Sequence, residues 1–160
     1  MPRLILLKLV TLLATMATSV VVVSGLATAG RACTISGTAE DDALRGTRGA
    51  DVICGHAAND RVQGRAGGDE VRGGRGNDDV NGNDGADLLR GQRGEDSLKG
   101  GLGRDTIRGG RGDDFITAVD GNGSDTVRGG RGNDDSCFLD KGDARSGCET
   151  ITVVGSPRRS

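Results

Sequence analysis

From residue 44 onward, one aliphatic residue returns every nine positions: Leu44, Ile53, Val62, Val71, Val80, Leu89, Leu98, Ile107 and Ile116. Its neighbours are mostly polar, as in Asp79-Val80-Asn81 and Thr106-Ile107-Arg108. Polar, apolar, polar over three residues is the alternation of a short strand with one inward side chain. Glycines fill the intervals, where they permit positive φ and tight turns. A single unit cannot bury its lone aliphatic residue, whereas stacked units can. Two strands joined by two turns make a flattened coil of eighteen residues, which brings residues eighteen apart to about 4.8 Å, the ordinary strand spacing. The expected fold is therefore all-β, a parallel β-roll (β-solenoid) with two repeats per coil.

The chain divides into nines without a gap from Gly37 to Thr117, with units such as GGRGNDDVN (73–81) and GGLGRDTIR (100–108). Ala118 and Val119 break the phase, and two further units, 120–128 and 129–137, bring the total to eleven. The first position is glycine except at Asp120, and the fourth is glycine except at Glu40 and Ala58. The eighth is aliphatic except at Ser136. The sixth is aspartate in all eleven units: Asp42, Asp51, Asp60, Asp69, Asp78, Asp87, Asp96, Asp105, Asp114, Asp125 and Asp134. A glycine-rich linker has no reason to keep aspartate and an aliphatic residue two apart in one register.

Stacking places these aspartates in two rows, one along each edge of the roll. Carboxylates at strand spacing repel one another. A hard divalent cation between successive rungs reverses the repulsion. Calcium suits such a place because it accepts several oxygens, backbone carbonyls included, in flexible geometry, whereas magnesium demands a tighter octahedron.

With those residues laid out, the units resemble the hemolysin-type (RTX) calcium-binding nonapeptide G-G-x-G-x-D-x-U-x over residues 37–137. The resemblance implies Ca2+ shared between units n and n+2 through sixth-position aspartates and turn carbonyls. The ligands it implies are Asp51, Asp69, Asp78, Asp87, Asp96, Asp105, Asp114, Asp125 and Asp134. Weaker sites are expected at Asp42 and Asp60, whose units lack the second turn glycine. Position two also departs from the pattern, being Thr, His, Arg, Asn or Gln in several units. The chain resembles small stand-alone secreted proteins bearing these repeats.

The flanks have a different character. Arg3 and Lys8 are the only charges in residues 1–29, which hold an apolar run from Leu9 to Leu26 and end in Ala27-Thr28-Ala29. That is the composition of a signal peptide with a small-x-small cleavage site; an uncleaved anchor is the alternative. Residues 30–36 are expected to cap the roll at one end and 138–154 at the other, with a disordered tail over 155–160. Export suits disulfides. Four cysteines allow three pairings, and the spacing favours Cys33 with Cys54, near one coil apart, and Cys137 with Cys148. No C-x-x-C spacing supports a zinc site.

Charge and composition narrow the function. Without the leader cations the chain carries 19 basic and 23 acidic residues, a mild balance that points to no nucleic acid. Phe115 and Phe138 are the only aromatics, so stacking platforms for bases are missing. The only histidine, His56, has no assigned nucleophile, and there is no phosphate-loop motif. Asp79, Asn81 and Asn83 imitate an EF-hand, but Asp84 and Arg90 stand where its glycine and glutamate belong. The reading is a secreted, non-catalytic calcium-binding protein.

Arginines add a second period: Arg72/Arg75, Arg90/Arg93, Arg108/Arg111 and Arg128/Arg131 recur about a coil apart. They are expected beside the odd-unit turns, partly balancing that edge, so that calcium prefers the even one. An alternative function follows from them, a structural or adhesive surface protein contacting anionic wall polymers through an arginine-lined edge.

Overall fold

The computed structural model describes residues 31–121 and 124–155. The expected leader, 1–29, and residues 156–160 of the expected tail lie outside the described residues.

The roll is built from two seven-stranded parallel sheets. One contains β1 (Ile35–Ser36), β3 (Val52–Ala57), β5 (Glu70–Arg75), β7 (Leu88–Arg93), β9 (Thr106–Arg111), β11 (Thr126–Arg131) and β13 (Ala144–Ser146), in that order. The other contains β2 (Ala43–Arg45), β4 (Arg61–Ala66), β6 (Asp79–Asp84), β8 (Ser97–Leu102), β10 (Phe115–Ala118), β12 (Ser136–Asp140) and β14 (Thr150–Val154). The chain alternates between them at every turn, so each strand pairs with the one a full coil away, as Ile53 with Val71 and Val71 with Leu89. Fourteen strands exceed the eleven repeat units because β1, β13 and β14 come from the flanks. Segment 138–154, expected as a cap, thus also continues both sheets.

The core is two facing files of single side chains. Ile35, Ile53, Val71, Leu89, Ile107 and Val127 come from one sheet, and Leu44, Val62, Val80, Leu98, Ile116 and Cys137 from the other. Each such aliphatic side chain stabilises the fold by roughly 1.5–3 kcal/mol on burial. Disulfides hold both ends: Cys33–Cys54 ties the N-terminal segment to β3, and Cys137–Cys148 ties β12 to the last turn.

Most interior strands run six residues rather than the three expected, because pairing continues through the glycines of the next unit; β10 has four and β12 five. Position one faces inward, where no Cβ fits: one on Gly64 would lie 2.5 Å from Asp69 Oδ2 and 2.7 Å from Gly82 O. From the third unit onward, position two takes positive φ even where it is not glycine, at His56, Arg65, Asn83 and Gln92.

The register slips at two places. Ile107 pairs with Val127 across the Ala118–Val119 insertion, and Ile116 pairs with Cys137 rather than with Ser136. One extra residue is absorbed between Gly129 and the aspartate that follows it. The sixth position there is therefore Asp135, which is buried, and Asp134 is exposed. Burial decides this register, because it turns Cys137 inward, where a hydroxyl would gain nothing.

Candidate metal centre

The repeat sets each sixth-position aspartate at the end of a turn, just before an inward aliphatic residue. The backbone carbonyl of Asp78, for example, accepts from the N–H of Ser97 at 2.8 Å. The side chain then joins the rungs. Oδ1 accepts from the N–H of the matching aspartate one coil earlier: Asp42 to Asp60, Asp60 to Asp78, Asp78 to Asp96 and Asp96 to Asp114, each at 2.9 Å, and Asp114 to Asp135 at 2.8 Å. The other edge repeats this from Asp51 through Asp69, Asp87, Asp105 and Asp125 to Asp143 at 2.8–3.0 Å. Two ladders of buried carboxylates result.

Oδ2 has a different fate. At Asp60, Asp69, Asp78, Asp87, Asp96, Asp105, Asp114, Asp125 and Asp135 it is buried and accepts no hydrogen bond. Leaving such an oxygen unpaired costs about 1–3 kcal/mol, more when it is charged. At Asp60, Asp69, Asp78, Asp87, Asp114 and Asp135 this oxygen points toward its unit's first glycine, and a carbonyl of the next coil approaches the same spot. For Gly64 these are Asp69 Oδ2 and Gly82 O; for Gly73 they are Asp78 Oδ2 and Gly91 O. Oxygens without donors that converge on one place fit a hard cation. Among the described residues, no three His, Cys, Asp or Glu side chains gather at one point. A cation held here draws on carbonyls beside one or two carboxylates.

Burial governs the titration of these groups. Desolvation pushes Asp78, Asp87, Asp105, Asp114 and Asp125 up to about 6, and Asp96 to about 7. Asp60, Asp69 and Asp135 are raised for the same reason. The hydrogen bond from the preceding rung opposes the rise in every case, and neighbouring carboxylates add to it.

The first coil is closed differently. Thr38 donates to Asp42 Oδ2 from its N–H at 2.6 Å and its hydroxyl at 3.0 Å. Thr47 does the same for Asp51 Oδ2 at 2.7 and 2.9 Å. The two position-two threonines thus saturate the oxygens that are orphaned from Asp60 onward. At the far end the ladders finish on Asp143 and on Glu149, whose Oε2 accepts from Asp135 N–H at 2.9 Å. Buried Asp140 receives the N–H groups of Asp120 and Gly121. Sequence reasoning missed Asp135, Asp140, Asp143 and Glu149. Asp143 was findable, since it lies eighteen residues after Asp125.

The arginines do not reach the ladders. Among the described residues, ion pairs join Arg72 and Arg90 to Glu70, and Arg61 to Asp79. Orphaned oxygens occur on both edges.

Comparison with known proteins agrees with the geometry. The family model for the RTX calcium-binding nonapeptide repeat, which spans four copies, matches residues 34–62, 55–89, 81–116, 90–123 and 117–135. Neither the curated proteins nor the solved structures give a match.

Proposed function

Since the chain belongs to the RTX calcium-binding nonapeptide repeat family, we propose that it is an exported, non-catalytic protein whose roll is completed by calcium. The carrying observation is the run of nine buried, unpartnered Oδ2 oxygens on Asp60, Asp69, Asp78, Asp87, Asp96, Asp105, Asp114, Asp125 and Asp135. These aspartates, with carbonyls of the first-position glycines, are the proposed ligands on both edges. Calcium would supply the positive charge that these oxygens lack. Asp42 and Asp51 take little part, because Thr38 and Thr47 already occupy their Oδ2. Asp134 takes none.

Binding to the folded form alone stabilises it in proportion to the logarithm of free calcium over the dissociation constant. Extracellular calcium modules work at about 0.1–1 mM, so an exported chain would stiffen on leaving the cell. The signal-like residues 1–29 and the two disulfides support export.

Circular dichroism, thermal melting and equilibrium dialysis of residues 30–160 test this together. Uptake of several calcium ions per chain is expected, with a melting midpoint that rises with calcium and falls back in chelator. An unchanged melt with no bound calcium refutes the reading. N-terminal sequencing of protein recovered from culture medium tests export, and Gly30 is the expected first residue.

A further inference from the structure

Arg72, Arg90, Arg108 and Arg128 occupy matching positions on β5, β7, β9 and β11, each the Cα partner of the next. They form a column of guanidinium groups at about strand spacing, 4.8 Å. Arg75, Arg93, Arg111 and Arg131 repeat this at the ends of the same strands and are exposed. Like charges held so close need a reason or a counterion.

The first pair in the column displays its own. Glu70, two residues before Arg72, points outward and is held between two rungs. Its Oε1 accepts from Arg72 Nη2 at 2.8 Å and Nε at 3.2 Å, and from Arg90 Nη1 of the next strand at 2.6 Å. These hydrogen bonds hold the Glu70 carboxyl below the usual carboxylate range, with Arg72 contributing most. One carboxylate thus bridges two successive rungs and offsets one of their two charges.

Two strands further on, the same clamp lacks its carboxylate. Thr106 stands on β9 where Glu70 stands on β5, with Arg108 beside it and Arg128 on the next strand. Neither of these arginines has an ion-pair partner among the described residues, and both are exposed. Position two between the columns is Gly110 on β9 and Gly130 on β11, which leaves the surface flat. We propose that this face binds a linear carboxylated polysaccharide, with one uronate carboxylate seated between Arg108 and Arg128 as Glu70 is seated between Arg72 and Arg90. Arginine suits the role because its planar fork grips a carboxylate through two N–H groups. A face bare of side chains between the two arginine columns suits a sugar chain better than a peptide, whose side chains need recesses. No aromatic residue lies in the column to stack a nucleic-acid base.

The inference is independent of the calcium reading and requires only the folded roll. Hexagalacturonate binding is measured by calorimetry with residues 30–160, in calcium and in chelator, with circular dichroism confirming the roll in each. Thr106→Glu supplies an internal carboxylate and is expected to weaken binding about tenfold, as is R108Q/R128Q, the scale of a lost charge-assisted contact. Glu70→Gln opens a second clamp and is expected to strengthen binding several-fold. Affinity that ignores both Thr106→Glu and Glu70→Gln overturns the proposal. So does equal or tighter binding of hexaglutamate or of short polyphosphate, which would assign the face to acidic peptides or phosphate polymers.

Discussion

At Asp96 the two oxygens of one carboxylate do different work. Oδ1 accepts the N–H of Asp78 and fixes the rung, while Oδ2 is buried without a partner. Asp96→Asn keeps an acceptor for the rung and removes the buried charge. In chelator at pH 8 the variant is expected to melt higher than the native chain, by roughly 2–6 °C for about 1 kcal/mol. In millimolar calcium it is expected to melt lower, because a carboxamide is a poorer ligand for a hard cation. Melting curves with and without calcium check this, and a shift of the same sign in both conditions contradicts it. A second residue-scale effect lies at Gln92, held at φ 87° without the freedom of glycine. Left-handed backbone costs an L-residue about 1–2 kcal/mol, part of which glycine's own flexibility offsets. Gln92→Gly is expected to gain about 0.5–1 kcal/mol in denaturant titration. Gly94→Ala is expected to lose stability, since its Cβ would strike the carbonyl of Gly76.

Among the elements, the two edges of the sequence pattern decide what can be read in advance. The period of nine gave the strands, their inward residues and the eighteen-residue rungs, because each depends on spacing alone. The slip at the last unit was not readable: GGRGNDDSC offers two adjacent aspartates, and spacing from Gly129 selects Asp134. Packing selects Asp135, since Cys137 turns into the core and reaches Cys148. Asp135→Asn is therefore expected to lower calcium uptake, and Asp134→Asn to leave it within error, in equilibrium dialysis of the two variants. The reverse order would restore the sequence register. The threonines of the first two units were also opaque. From sequence, Thr38 and Thr47 are mere departures from glycine, but hydroxyl and N–H together close the open end of each ladder. Only the position of Oδ2 reveals that role. The arginine period was legible, but its face was not: it belongs to the outside of a sheet and not to the carboxylate edges.

The whole molecule couples protons and calcium through the same oxygens. The ladder aspartates ordinarily titrate near 3.8, and burial raises several of them to between about 6 and about 7. Without metal, the folded chain then holds protons that the unfolded chain has released. Stability contributed by a raised carboxyl is present in full below about pH 4 and is lost as pH rises through 6 to 7. Nine ladder aspartates shift in the same direction, whereas the chain beyond the leader carries only 19 basic and 23 acidic residues, so general self-repulsion is a minor competitor. The metal-free melting midpoint is therefore expected to fall from pH 4.5 to pH 8. Calcium acts on the opposite side, since it needs the ionised form and must displace the proton. Its stabilising effect is expected to be small at pH 5 and large at pH 8, and the two melting curves should converge in acid. Calorimetry at pH 6.5 in two buffers of different ionisation enthalpy then detects protons released on calcium binding. A metal-free midpoint that rises with pH, or binding without proton release at pH 6.5, would mean that water reaches these carboxylates. The ladders would then be ordinary surface acids, and the roll would gain no dependence on calcium from them.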